Sequence, residues 1–215
     1  MLELRGIHKV FETQGRRKHV LRGVDCQFRR GDSVAILGRN GAGKSTLVRI
    51  ISGAEHPTRG EVVRRMSVSW PLGFSGATHS ALSGADNVRF VARIYGCPVQ
   101  RTLDFVREFS ELGDDMRMPV RTYSAGMSAR LSFAMSLAVD FDCYLVDEVV
   151  AAGDSRFAER CRQALLERRG RSTLLLVSHQ PDLVRTFCTS AATLHDGKLT
   201  FHEDLDQALA TYHAL

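Results

Sequence analysis

The chain alternates short apolar runs with stretches of helical apolar spacing, and this pattern predicts most of its elements. Leu2 to Phe11 alternates unevenly and reads as a strand, and Val20 to Phe28 reads as a second. The polar stretch between them, Glu12 to His19, holds Gly15 and three basic residues and reads as an exposed hairpin loop. Arg30-Gly31-Asp32 predicts a tight turn into the apolar run Ser33-Val34-Ala35-Ile36-Leu37. A helix-like run, Leu47 to Ile51, follows, then a turn at Pro57 to Gly60 and short strands at Glu61-Val62-Val63 and Val68-Ser69-Trp70.

The pattern then changes. Leu72 to Leu82 is rich in glycine and small polar residues and reads as a flexible connection. Three apolar faces of helical period come next: Val88, Val91, Ile94 and Tyr95; Leu103, Val106 and Phe109; Leu131, Ala134, Met135 and Ala138. Residues from about 73 to 140 are therefore expected to form a helical subdomain. It interrupts an α/β core of about 1–72 and 141–215 within one domain spanning 1–215. The core resumes with strand Cys143 to Val146, a helix with Phe157, Cys161, Ala164 and Leu165 inward, and strand Thr173 to Val177. A short helix after Pro181, strand Ala191 to Leu194, the turn Asp196-Gly197-Lys198 and strand Leu199 to Phe201 complete it. Strands alternating with helices favour a parallel sheet covered on both faces.

Composition narrows the setting. Hydrophobic residues make up 44% and charged residues 25%, which is ordinary for a globular α/β protein. No apolar run approaches the roughly 18–20 residues that span a bilayer, and Met1 to Arg5 lacks a secretory pattern. The net charge of +5 raises a nucleic-acid reading, but only four of the 29 basic residues are lysine and the arginines are scattered. With no basic tail or aromatic-interleaved basic stretch, a solvated basic surface fits better and no nucleic-acid partner is expected. Cys26, Cys97, Cys143, Cys161 and Cys188 form no C-x-x-C pair or metal spacing, which fits cytosolic thiols.

The chemistry concentrates in the stretch Gly38 to Thr46, GRNGAGKST, between an apolar strand and a helix. The spacing G-x-x-x-x-G-K-[ST] is that of a phosphate-cradling loop. Gly38, Gly41 and Gly43 let the backbone turn and aim N–H groups inward, and the helix start adds positive potential. Arg39, Asn40, Ala42 and Thr46 complete the loop around the phosphates; Lys44 is expected at the β and γ phosphates and Ser45 on Mg²⁺. Farther on, Cys143 to Val146 ends in Asp147-Glu148, two carboxylates at the carboxyl end of a buried strand. Asp147 would hold the Mg²⁺ shell and Glu148 would orient and polarise a water, although a helix start also favours acids. Tyr123-Ser124-Ala125-Gly126-Met127 stands before another helix; alone it is a helix cap or a second anion site.

In this order the motifs resemble those of ABC ATPases, phosphate-loop NTPases with a mixed sheet core, an N-terminal antiparallel β part and an inserted helical subdomain. YSAGM resembles a degenerate signature loop, so the resemblance implies that Ser124, Ala125 and Gly126 meet the ATP of a second copy. Ala152-Gly153-Asp154 resembles the D-loop, Val177-Ser178-His179 the switch histidine, and Phe11 the aromatic that stacks on adenine. The resemblance implies that His179 senses the γ-phosphate and steadies Glu148 and the water, its plain alternative being a solvated strand end, while Phe11 is compatible with plain core as well.

A finer resemblance, through Ser69 to Gly73, Leu82-Ser83-Gly84, Asp86-Asn87-Val88, Phe90 to Arg93, Val146 to Val149 and Arg156-Phe157, is to capsular polysaccharide export ATPases of the KpsT type. It implies ATP and Mg²⁺ as cofactors, a homodimer, a separate polytopic permease docked near Gly73 to Ala92, and a lipid-linked acidic polysaccharide as cargo. It also implies a peripheral place on the cytoplasmic face of the bacterial inner membrane. ATPases of O-antigen or teichoic-acid exporters or of importers share these ATP-site residues, and a soluble ABC ATPase acting on nucleic acid is a further alternative. The family's glutamine at the junction into the helical subdomain has no counterpart between Trp70 and Leu82. His79 is the obvious polar residue there, but its spacing from Asn87 is short for a slot that falls near Gly73 or Phe74, and no residue is carried over.

Overall fold

The computed structural model describes residues 1–13, 15–73, 75–147, 154–178, 180–202 and 204–215. In chain order the first elements are β1 (Leu2–Thr13), β2 (Arg16–Phe28), β3 (Ser33–Leu37), α1 (Lys44–Ser52), β4 (Arg59–Arg64) and β5 (Val68–Pro71). The helices α2 (Gly84–Ile94), α3 (Val99–Ser110) and α4 (Ala125–Ala138) follow. The remainder is β6 (Cys143–Asp147), α5 (Ser155–Leu166), β7 (Thr173–Val177), α6 (Pro181–Phe187), β8 (Ser190–His195), β9 (Lys198–His202) and α7 (Leu205–Ala214). These elements divide into two compact units.

The first unit holds every strand among the described residues, arranged as two sheets. A six-stranded sheet runs β5-β6-β7-β3-β8-β9; all neighbours are parallel except the β8–β9 hairpin. β3 and β7 are buried along their whole length, which is why Ser33–Leu37 and Thr173–Val177 read as continuous runs rather than alternations. Val177 pairs with Ile36 on one side and Asp147 on the other, so the loop after β3 and the acid ending β6 emerge at the same carboxyl edge.

The second sheet is antiparallel, β2-β1-β4, and β1 and β2 pair from Thr13 with Arg16 down to Leu2 with Phe28, with three register shifts on the way. The segment expected as a hairpin loop is thus largely strand: Arg16 to His19 are paired, and the polar residues mark two-sided exposure near the hairpin end. Leu2, Leu4, Ile7, Leu21 and Val24 from this sheet join Val34, Ile36, Leu47, Ile50, Leu145 and Leu175 in one hydrophobic core. Truncating a fully buried member such as Leu145 to Ala would cost about 2–5 kcal/mol. Cys143 is buried in this core and burial pushes its thiol up to about 12, with the Asp142 charge adding to the effect; it is a packing residue.

The second unit is helical and contains α2, α3, α4 and α5. Phe109 of α3, Phe133 of α4 and Phe157 of α5 meet with ring centroids 5.8–6.3 Å apart, so α5 packs on the helices. α4 is buried from Leu131 to Leu137, as a central helix of a bundle must be. The stretch expected as a flexible connection is anchored within this unit: the Asn87 amide accepts from the His79 N–H at 2.6 Å and donates to the His79 carbonyl at 3.1 Å. His79 is thereby held through its backbone.

Candidate functional site

α1 starts at a glycine with no side-chain cap, and this defines the site. Gly43 takes φ +108°, and a Cβ there would lie 2.9 Å from Val20 Cγ1 and 3.1 Å from the Val20 carbonyl. Gly38 is required for another reason, since a Cβ there would lie 2.6 Å from the Leu194 carbonyl oxygen. The loop can therefore lie against β2 and β8 only with glycine at these two positions. The first-turn N–H groups of a helix have no intrahelical acceptor, and no side chain of α1's cap satisfies them. Lys44 turns back on the loop, its ammonium donating to the Gly38 carbonyl at 2.5 Å and the Arg39 carbonyl at 3.2 Å.

A cavity of about 420 Å³ opens over this helix start. Phe11, Lys18, Val20, Asn40, Gly41, Gly43, Lys44, Ser45, Thr46 and Asp147 line it. Of the loop residues expected at a phosphate, Gly38, Arg39 and Ala42 do not line it; Arg39 instead donates to the Leu215 carbonyl at 2.9 Å. Glu148, Gly153 and His179 lie outside the described residues. The cavity has an aromatic wall at one side and lysine, hydroxyl, carboxylate and open helix N–H groups at the other, a layout suited to a base with a polyphosphate tail.

Two residues around Phe11 escape a reading by motif. Lys9 is nearly buried, bonded through Nζ to Glu55 at 2.5 Å and to the His56 carbonyl at 2.8 Å, and it sits 4.8 Å from the Phe11 ring centroid. A cation fixed over one ring face holds the ring in place. Lys18 pairs directly across the hairpin from Phe11 and brings a second ammonium to the cavity wall. The signal for Lys18 is the strand register, which becomes readable only once the hairpin pairing is known; that for Lys9 is its place two residues before Phe11 on the same strand.

In the helical unit, Ser124 caps α4 by accepting from the Met127 N–H at 3.2 Å, and Ala125 and Gly126 form its first turn. Asp154 caps α5 in the same way, accepting from the Phe157 N–H at 2.9 Å. It also pairs with Arg130 of α4, whose guanidinium lies 5.1 Å from the Phe157 ring centroid. The Phe157 N–H above all, and then Arg130, hold the Asp154 carboxyl below its ordinary range. The helix behind Ser124 and the start of α5 are thus tied together inside one unit. Glu111, at φ +56°, extends the link, with Arg156 and Arg160 each 3.1 Å from its Oε1.

Known proteins share this organisation. The ABC transporter family matches residues 21–151. The chain is 48% identical to the ATP-binding protein BexA of Haemophilus influenzae, over 99% of this chain and 98% of that protein. It is 47% identical to the capsule polysaccharide export ATP-binding protein CtrD of Neisseria meningitidis serogroup B, over the full length of both. In fold it is similar to an ATP-binding cassette solved as a dimer in a post-hydrolysis state with ADP and phosphate. The TM-score is 0.81 at 22% identity, over 95% of this chain and 99% of that one. With a phosphate loop of this geometry and near-complete coverage of such relatives, the chain belongs to the ABC transporter ATP-binding family, whose members hydrolyse ATP.

Proposed function

We propose that the chain is the ATP-binding and hydrolysing subunit of an ABC exporter that moves capsular, lipid-linked acidic polysaccharide across the bacterial inner membrane. The observation that carries the ATP half is the single cavity shared by Phe11, the helix start at Gly43 to Thr46, and Asp147. The capsule half is supported by the likeness to CtrD along its whole length.

In this reading adenine stacks on Phe11, held from behind by Lys9, and the phosphates run to the N–H groups of α1 and to Lys44. Lys44 would exchange its two carbonyl partners for phosphate oxygens. Ser45 and Asp147 offer a hydroxyl and a carboxylate in the same cavity, hard oxygen donors that fit Mg²⁺. The bound ion would neutralise charge on the phosphate oxygens. Glu148, next in sequence to Asp147, is assigned the task of orienting and polarising the attacking water, and His179 that of steadying it. Two copies would pair head to tail, with Ser124, Ala125 and Gly126 of one closing on the ATP of the other, and with Gly153 and Asp154 at the junction.

The permease would dock on the helical unit around residues 73–92. Leu82 and Phe90 there, with Ile94 beyond, are 40%, 59% and 60% exposed, more apolar surface than solvent alone favours. Among the described residues no helix is long and apolar enough to cross a membrane, so attachment at the cytoplasmic face would run through that partner.

Glu148→Gln tests the assignment. ATP binding should persist and a dimer should be trapped, while hydrolysis falls at least about 10²-fold, the scale of a lost general base. Near-normal turnover would remove Glu148 from the role. In cells lacking this chain, surface polysaccharide should disappear and return with the wild type but not with Glu148→Gln; an unaltered capsule in its absence would end the export reading.

A further inference from the structure

The hairpin that carries Phe11 has a second face, and that face holds a second cavity. β1 and β2 pair Val10 with His19, Phe11 with Lys18 and Glu12 with Arg17. Successive strand residues point to opposite faces. Phe11, Lys18 and Val20 accordingly line the phosphate-loop cavity, while Val10, Glu12, Arg17 and His19 line another of about 400 Å³. His8, Thr58 and, from β4, Arg59 complete its wall. The two cavities are back to back, one residue step apart on the same two strands.

The chemistry of the second cavity is one-sided. Two guanidiniums and two imidazoles face a single carboxylate. That carboxylate, on Glu12, lies 3.6 Å from Arg17 Nε, and Arg59 has no carboxylate partner among the described residues. Cations gathered in a concavity raise the local concentration of anions, and guanidinium forks match phosphate oxygens in pairs. The volume is that of a small-molecule site, and a concave wall suits a compact free anion better than a planar bilayer. We propose that this cavity binds a small phosphate-bearing anion through Arg17 and Arg59, on the back of the hairpin whose front faces the ATP site.

The test uses valine-methyl NMR on the full chain, with the phosphate-loop cavity saturated by a non-hydrolysable ATP analogue and inorganic phosphate as the probe. The Val10 methyl signals should move saturably, and in Arg17→Ser/Arg59→Ser the affinity should fall at least about tenfold, as the loss of two charge-assisted contacts requires. Arg17→Lys/Arg59→Lys keeps the charge and loses the fork, so it should retain weakened binding; it also serves if the serine pair does not fold. No Val10 response, a non-saturating one, or an equal response in the serine pair would overturn the proposal. Sedimentation with anionic phosphatidylglycerol vesicles that depends on both arginines, without a phosphate response, would overturn it in favour of a lipid headgroup. The analogue failing to bind would count against the ATP reading alone, because the Val10 titration remains readable.

Discussion

The starts of α1 and α4 are built from the same kind of residues and finished in different ways. α1 begins at Gly43, in a left-handed conformation with no side-chain acceptor for its first N–H groups. α4 begins at Ser124, whose hydroxyl accepts from the Met127 N–H. The glycines differ too. Gly43 is demanded by the chain itself, because β2 stands where a Cβ would go. Gly126 has an ordinary φ, and the nearest atom to a Cβ there is Ser124 Oγ at 3.9 Å. Nothing within the described residues requires glycine at 126, although glycine in a helix costs about 1 kcal/mol relative to alanine. A helix start left open by its own chain can be completed by a ligand; the proposed function assigns the room at Gly126 to the nucleotide of a second copy.

The largest break in this comparison is Lys44→Ala. It removes a side-chain cation that folds back onto the phosphate loop, and a lost charge-assisted contact of about 1.5–3 kcal/mol weakens ATP by about 10- to 150-fold. Equilibrium titration with a fluorescent ATP analogue reads this directly, and an unchanged affinity would sink the phosphate-loop assignment. The chain should also lose up to about 1–3 kcal/mol of stability because, of the two carbonyls that Lys44 leaves, that of Arg39 is on an exposed residue but that of Gly38 is on a buried one.

Gly126→Ala sharpens the other side. With room for the methyl and a better helix former, the chain should gain up to about 1 kcal/mol, a melting shift of about 2–4 °C for a domain of this size. ATP binding by the lone chain should stay as it was, whereas ATP hydrolysis should fall, since the glycine's room is assigned to the second copy's nucleotide. Unaltered hydrolysis in the more stable variant would show that Gly126 meets no ligand.

The same contrast explains what the sequence made legible. Gly38 to Thr46 and Cys143 to Asp147 could be read from order and spacing, because a phosphate cradle and a strand-end acid are local consequences of the chain. Leu145, Leu175 and Ile36 were readable as buried strand for the same reason. Lys18 was not, because its place beside Phe11 depends on which residues face each other across β1 and β2, and bulges at Leu4/Ile7, Ile7/His8 and Lys9/Val10 shift that register. Lys9 stands two residues before Phe11 on the same strand, but its fixing by Glu55 and His56 follows from tertiary packing. The inward face of α5 was legible in Phe157, Cys161, Ala164 and Leu165, but its partners, Phe109 and Phe133, follow from tertiary packing that periodicity does not encode. Asp154 read as a candidate at a junction; its cap on Phe157 and its pairing with Arg130 emerge only when α4 and α5 are side by side.

The smallest expected effect concerns Lys18, which tests whether the open side of the first cavity extends to its aromatic wall. Its ammonium has no carboxylate partner among the described residues, lines the cavity opposite Phe11, and is solvent-exposed. An exposed charge pairing with phosphate contributes about 0.2–1 kcal/mol, so Lys18→Met should weaken ATP by only about 1.4- to 5-fold. Because the interaction is screened, the difference between wild type and variant should shrink as salt is raised, while the Lys44→Ala defect, made at closer quarters, should persist. Adenosine, which stacks but carries no phosphate, should bind both proteins alike. A salt-insensitive loss that extends to adenosine would mean that the lysine's methylene chain packs on the base, and that the positive potential of the site belongs to α1 and Lys44 alone.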